Sequence, residues 1–129
     1  MQVVQKILKK YKSLVWPEIN KYLKDPVYPT QFRIPNKYKK DVDLYWKINR
    51  EYPLRQGKYL RPTLLVLTCE AMGGKIKDAV KTAAAMQMSE EWILIHDDIE
   101  DNSEKRRGEP TLHKIYGDEL AINAGDSLQ

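Results

Sequence analysis

Cysteine occurs once in the 129 residues, phenylalanine once, histidine twice and glycine six times. A single thiol excludes a disulfide framework, and Cys69 lies in the apolar stretch Leu64–Cys69, so it reads as a small buried core residue of a protein in a reducing compartment. No apolar run approaches the roughly 20 residues that a membrane span requires. The start Met1-Gln2-Val3-Val4-Gln5-Lys6 does not feed a signal-peptide core, and together these features point to the cytoplasm. Repeats and low-complexity tracts are missing, and no segment alternates with period two, which argues against a sheet protein. The length excludes two full domains and suits one domain or a large piece of one.

Charge is abundant but unevenly placed. From Met1 to Arg61 there are 15 Lys and Arg against 5 Asp and Glu; from Pro62 to Gln129 the numbers are 7 and 13. A basic first half and an acidic second half fit either a nucleic-acid arm on an acidic body or cations and metal-binding carboxylates meeting at one anionic ligand. The lysine-rich helix lacks aromatic interleaving and any recognition motif, so nucleic-acid binding is not expected.

Helical periodicity dominates. Val4, Ile7, Leu8, Tyr11, Leu14 and Val15 form the apolar stripe of a helix from about Val3 towards Trp16, with Lys6, Lys9, Lys10 and Lys12 on its solvated face. Pro17 can kink or restart it, and Pro26, Pro29 and Pro35 mark an extended connection. A second helix is predicted over Lys37–Asn49 with Val42, Tyr45, Trp46 and Asn49 on one face, stopped by Tyr52-Pro53. A third follows Gly57, has Pro62 in its first turn and closes at Gly73-Gly74; its run Leu64–Leu67 has no polar face, which predicts a central, buried helix. The longest starts near Asp78 and runs past Ile95 with Met86 and Met88 as core filler. A polar connection over Asn102–Pro110, a short helix at Thr111–Tyr116 and a last helix from Asp118, unfinished at Gln129, complete an all-α chain.

Three clusters carry chemistry. Asp97 and Asp101 are four apart and project together at the end of the long helix, with Asp98 beside them. Oxygen-only ligands without His or Cys point to Mg²⁺, which usually bridges one or two carboxylates to a phosphate. A calcium loop fits poorly, for want of a glycine at its sixth position. Arg106-Arg107 form a guanidinium pair in the turn that leaves this helix, suited to phosphate oxygens. Lys58 and Arg61, spaced i,i+3 at a helix start, form a second cationic cluster.

Together these clusters resemble the head-to-tail trans-prenyl diphosphate synthases. Gly57-Lys58-Tyr59-Leu60-Arg61-Pro62 is similar to that family's G-K-x-x-R-P; His96–Asp101 through Arg106–His113 resembles its first aspartate-rich motif and following loop; Ala124-Gly125-Asp126 matches the helix after it. The resemblance extends over most of Gln56–Asp126, while the first 50 residues share only helicity. It implies an all-α antiparallel helical bundle around a central cavity, geranylgeranyl diphosphate synthase-like. The implied reaction joins isopentenyl diphosphate to an allylic diphosphate by ionisation, condensation and elimination. Asp97, Asp98 and Asp101 would be its catalytic carboxylates, with Asp97 and Asp101 holding Mg²⁺ and Asp98 supporting them through hydrogen bonds. Arg106 would touch the allylic diphosphate; Lys58, Arg61 and Arg107 would hold isopentenyl diphosphate. Trp92, five positions before Asp97, would form the floor that limits the product to geranylgeranyl length.

Two departures qualify the match. Where the family places His or Gln against isopentenyl diphosphate stands Glu90, which must pair with Lys58 or Arg61 or cede that role to another residue. The family's second aspartate-rich motif is not in this chain, so residues 1–129 are expected to be the N-terminal portion of a single domain: a truncated chain, a fragment, or half of a split enzyme. Such a chain is expected to be inactive alone, to aggregate or to associate as a homo- or hetero-oligomer, and to need a second polypeptide carrying the missing motif. The alternatives are a non-catalytic regulatory partner of a complete synthase and a class I terpene synthase-like fragment. Lys58 and Arg61 argue against the latter, which needs no isopentenyl diphosphate site.

Overall fold

A computed structural model describes residues 2–129. Six α-helices follow one another: α1 (Gln2–Tyr22), α2 (Lys39–Arg55), α3 (Leu60–Ala71), α4 (Ile76–Glu100), α5 (Leu112–Tyr116) and α6 (Asp118–Asp126). Between α4 and α5 lies a hairpin of two two-residue strands, β1 (Lys105–Arg106) and β2 (Glu109–Pro110), antiparallel with Arg106 opposite Glu109. The all-α class read from periodicity holds, apart from this small ladder.

α4 is the axis. Its first half packs Ala79, Ala83 and Ala84 against Tyr11, Val15 and Ile19 of α1 and Val66 of α3, where the alanines let the helices approach closely. Its second half packs Ile95 against Ile48 and Tyr52 of α2, Leu112 of α5 and Ala121 and Ala124 of α6. One 25-residue helix thus joins two apolar clusters and carries its terminal carboxylates past both.

Several boundaries differ from the sequence reading. α1 passes through Pro17 to Tyr22, because the buried four-residue row Tyr11, Val15, Ile19 and Leu23 continues across it; burial outweighs the one N–H that proline lacks. Val4, Ile7 and Leu14, counted in the apolar stripe, are exposed. α2 likewise contains Pro53 and runs to Arg55, held by Tyr52 and Pro53 in the core; it ends only where Gln56 turns to a positive φ of 46°. The apolar run of α3 is not wholly buried: Val66 is inaccessible, but Leu60 and Leu64 are each 54% exposed because they flank an open cleft. Met86 is exposed rather than core filler, whereas Met88 packs on the first cluster. Cys69 is half-buried, its Sγ 3.7 Å from the Lys75 carbonyl. The proline-rich connection holds two 3-10 turns, at Thr30–Phe32 and Asn36–Tyr38, and α6 ends at Asp126 instead of running to Gln129. Among the described residues, no helix is long and apolar enough to cross a membrane.

Candidate active site

The last turns of α4 set three carboxylates in different environments. Asp98 is inaccessible to solvent, accepts a hydrogen bond of 2.5 Å from the Tyr52 hydroxyl, and takes Nε and Nη2 of Arg106 at 3.0 and 2.5 Å. Burial and this carboxylate push the Tyr52 hydroxyl well above its ordinary range, and Asp98 tightens the hold of Arg106 on its proton. Asp97 stays half exposed and shares Arg106 at 3.1 Å. Asp101 caps α4 one turn on, its N–H on the Asp97 carbonyl at 2.9 Å and its side chain in solvent. The hydrogen bonds of Asp98 go to Tyr52 and Arg106, which the sequence did not name as its partners.

Among the described residues no three His, Cys, Asp or Glu side chains converge as a metal cage. Two accessible carboxylates one helical turn apart nonetheless fit a hard divalent cation that completes its shell with water and ligand oxygens. Asp98, locked by Tyr52 and Arg106, has no such freedom.

The hairpin turn places the arginine pair. Arg107 adopts a left-handed φ of 57°, as a two-residue hairpin turn requires, and this sends neighbouring guanidiniums to different partners. Arg107 donates to the Tyr52 carbonyl at 2.8 Å and to Glu91 Oε1 at 3.0 Å, and its Nη1 lies in ion-pair contact with Glu91 Oε2 at 2.9 Å. Glu91 is 1% exposed and also accepts Gln87 Nε2 at 2.7 Å. Burial pushes its carboxyl upward, and the Arg107 charge opposes that.

Arg107 in turn explains Gly57. A Cβ there would lie 2.9 Å from the Arg107 guanidinium, which its two anchors keep from moving aside. From below, Lys12 of α1 donates to the Gly57 carbonyl at 3.3 Å and lies over the Tyr59 ring, so Lys12 is not the solvated lysine expected. Burial, then the Arg107 charge, pulls its ammonium downward.

Gly57 opens the turn into α3, from which Lys58 and Arg61 project, both exposed. Lys58 and Arg61, with Arg106 and Arg107, line one cleft of about 720 Å³ together with Leu60, Leu64 and Leu94. Glu90 lines it too and ion-pairs with Arg61, one of the two partners expected for it. Four cations from segments about 45 residues apart in the chain therefore line one cleft, with Asp97 joined to it through Arg106. Trp92 does not line it; its half-buried ring stacks edge-on against His96, centroids 5.5 Å apart. Ile93, 51% exposed, and Met86 lie on the Asp97 face of α4. Tyr52, Glu91, Gln87 and Lys12 are site residues that the sequence reading missed. A polar line Gln87-Glu91-Asp98, at helical spacing within an apolar helix, was the available signal.

The fold and the site define an all-α chain whose central helix ends in carboxylates beside a cleft lined by Lys58, Arg61, Arg106 and Arg107. A polyprenyl synthetase family model matches residues 44–129, and the chain belongs to that family. It is 48% identical over 77 residues to a chloroplastic geranylgeranyl pyrophosphate synthase of Capsicum annuum, 58% of this chain and 21% of that one. To the large subunit 1 of a chloroplastic heterodimeric geranylgeranyl pyrophosphate synthase of Arabidopsis thaliana it is 44% identical over 77 residues, again 58% and 21%. Geranylgeranyl pyrophosphate synthetase from Pyrococcus horikoshii superposes with a TM-score of 0.80 at 32% identity, covering 98% of this chain and 35% of that one. The chain thus spans about a fifth of the curated relatives and a third of the solved structure.

Proposed function

We propose that the chain is the N-terminal part of a single prenyltransferase domain that condenses isopentenyl diphosphate with an allylic diphosphate to give geranylgeranyl diphosphate. The observation that carries this reading is the cleft in which Lys58, Arg61, Arg106 and Arg107 stand with Leu60, Leu64 and Leu94: cations for a diphosphate and an apolar flank for its isoprenoid tail. The names of the relatives support the same product class.

Lys58, Arg61 and Arg107 bind the isopentenyl diphosphate, and the anchors of Arg107 on Tyr52 and Glu91 orient it before the ligand arrives. Arg106 contacts the allylic diphosphate; Asp98 and Tyr52 hold its guanidinium at the foot of the Asp97 side chain. Asp97 and Asp101 would hold Mg²⁺, which when bound supplies Lewis-acid stabilisation of the leaving diphosphate. Trp92, packed edge-on against His96 outside this cleft, is proposed to limit chain length only where the growing tail extends beyond the cleft, so Trp92→Ala should lengthen the product. The exposed apolar side chains Leu64 and Ile93 suit contact with further helices of the same domain, from the same polypeptide or a partner. A lone unpaired cysteine suits the cytoplasm.

The test combines the chain with a polypeptide carrying the second aspartate-rich motif, Mg²⁺, labelled isopentenyl diphosphate and farnesyl diphosphate, and separates the hydrolysed prenols. Geranylgeraniol that is lost in Asp97→Ala is expected. Geranylgeraniol persisting undiminished in Asp97→Ala, or no prenol from a mixture that has demonstrably assembled, would refute it.

A further inference from the structure

Two adjacent carboxylates of α4 face arginines of the cleft, and they are held very differently. Glu91 is 1% exposed and tied by both Arg107 nitrogens and by Gln87, so its removal would strand a guanidinium. Glu90 makes one ion pair, with Arg61, and the two side chains are 18% and 63% exposed. Within the cleft Lys58 has no ion-pair partner among the described residues. Glu91 is part of the framework, whereas Glu90 sits on an accessible cation that an incoming anion also needs.

We propose that Glu90 is a built-in competing anion: it occupies Arg61 while the cleft is free and yields that guanidinium when a diphosphate enters beside Lys58. Glu90 thereby sets the affinity of the subsite. The proposal rests on reading the cleft as a diphosphate site. Carboxylate and phosphate oxygens compete for the same guanidinium fork, and a diphosphate brought beside Glu90 meets a like charge that the open part of the cleft only partly screens. The exposure of Arg61 keeps its present ion pair weak enough to exchange. A glutamine at position 90 would keep the side-chain length and remove both competition and repulsion.

The test titrates inorganic diphosphate into the chain by calorimetry in metal-free, low-salt buffer, with far-ultraviolet circular dichroism confirming that each variant is folded. Glu90→Gln should tighten the dissociation constant about tenfold, the scale of one like charge a few ångströms away at a part-exposed site. In an Arg61→Gln background the same change should gain much less, because the competed cation is gone. Unchanged or weaker binding by Glu90→Gln, with the unaltered chain binding normally, overturns the proposal and leaves the diphosphate reading standing. Absence of binding by both proteins at millimolar diphosphate overturns both.

Discussion

Replacing each acid of the motif separates framework from ligand-facing carboxylates. Asp98 is fully buried, and its partners Tyr52 and Arg106 come from α2 and the hairpin. Asp98→Ala leaves a part-buried guanidinium with only Asp97 and removes the acceptor from a buried hydroxyl, a loss of about 3–5 kcal/mol for a broken buried pair. Tyr52→Phe removes one hydrogen bond to a charged group and should cost about 1.5–3 kcal/mol. Asp101→Ala, whose side chain lies in solvent, should leave the unfolding midpoint unchanged. Urea unfolding followed at 222 nm measures all three on the same chain. Equal midpoints for Asp98→Ala and Asp101→Ala would refute the division of labour, because the same helix end would then carry no buried ion pair. If the division holds, Asp101→Ala abolishes Mg²⁺-dependent diphosphate binding without touching the fold.

Gly57→Ala puts a Cβ 2.9 Å from the Arg107 guanidinium and should weaken diphosphate binding by displacing it, with little change in helicity; calorimetry reads the first and circular dichroism the second. In Gly125→Ala the new methyl would lie 2.5 Å from His96 Nε2, an overpacking worth about 1–3 kcal/mol of stability, measured by thermal unfolding. Burial raises the Tyr52 and Tyr59 hydroxyls and, with the Glu51 hydrogen bond, pushes Tyr116 up to about 12. Groups raised in the fold contribute stability fully below the unfolded value near 10 and lose it as pH climbs through the folded values. The folded chain should therefore ionise these tyrosines late and lose stability from about pH 10 upward, as read at 295 nm and by urea unfolding.

The sequence made legible what periodicity and local spacing control. α4 was readable because over twenty residues pass without Gly or Pro, and Asp97 with Asp101 because four residues make one turn. Glu90 was readable as a problem, since an acid among cations demands a partner, and the structure selects Arg61 from the two on offer. What stayed hidden depends on tertiary neighbours. A helix wheel puts Lys12 on the polar side of α1 but cannot reveal that its stem crosses to the Gly57 carbonyl. Pro53 reads as a terminator until Tyr52 beneath it is seen to be fully buried.

Tyr52 links the two kinds of information. Its hydroxyl fixes Asp98 and its carbonyl fixes Arg107, so one residue of α2 couples the carboxylate end of α4 to the arginine of the cleft. Local propensity would end α2 before Pro53, yet the helix continues to Arg55 with Tyr52 and Pro53 both buried. The tertiary packing that carries the helix through that proline therefore also sets the carboxylate end of α4 against the guanidinium of Arg107.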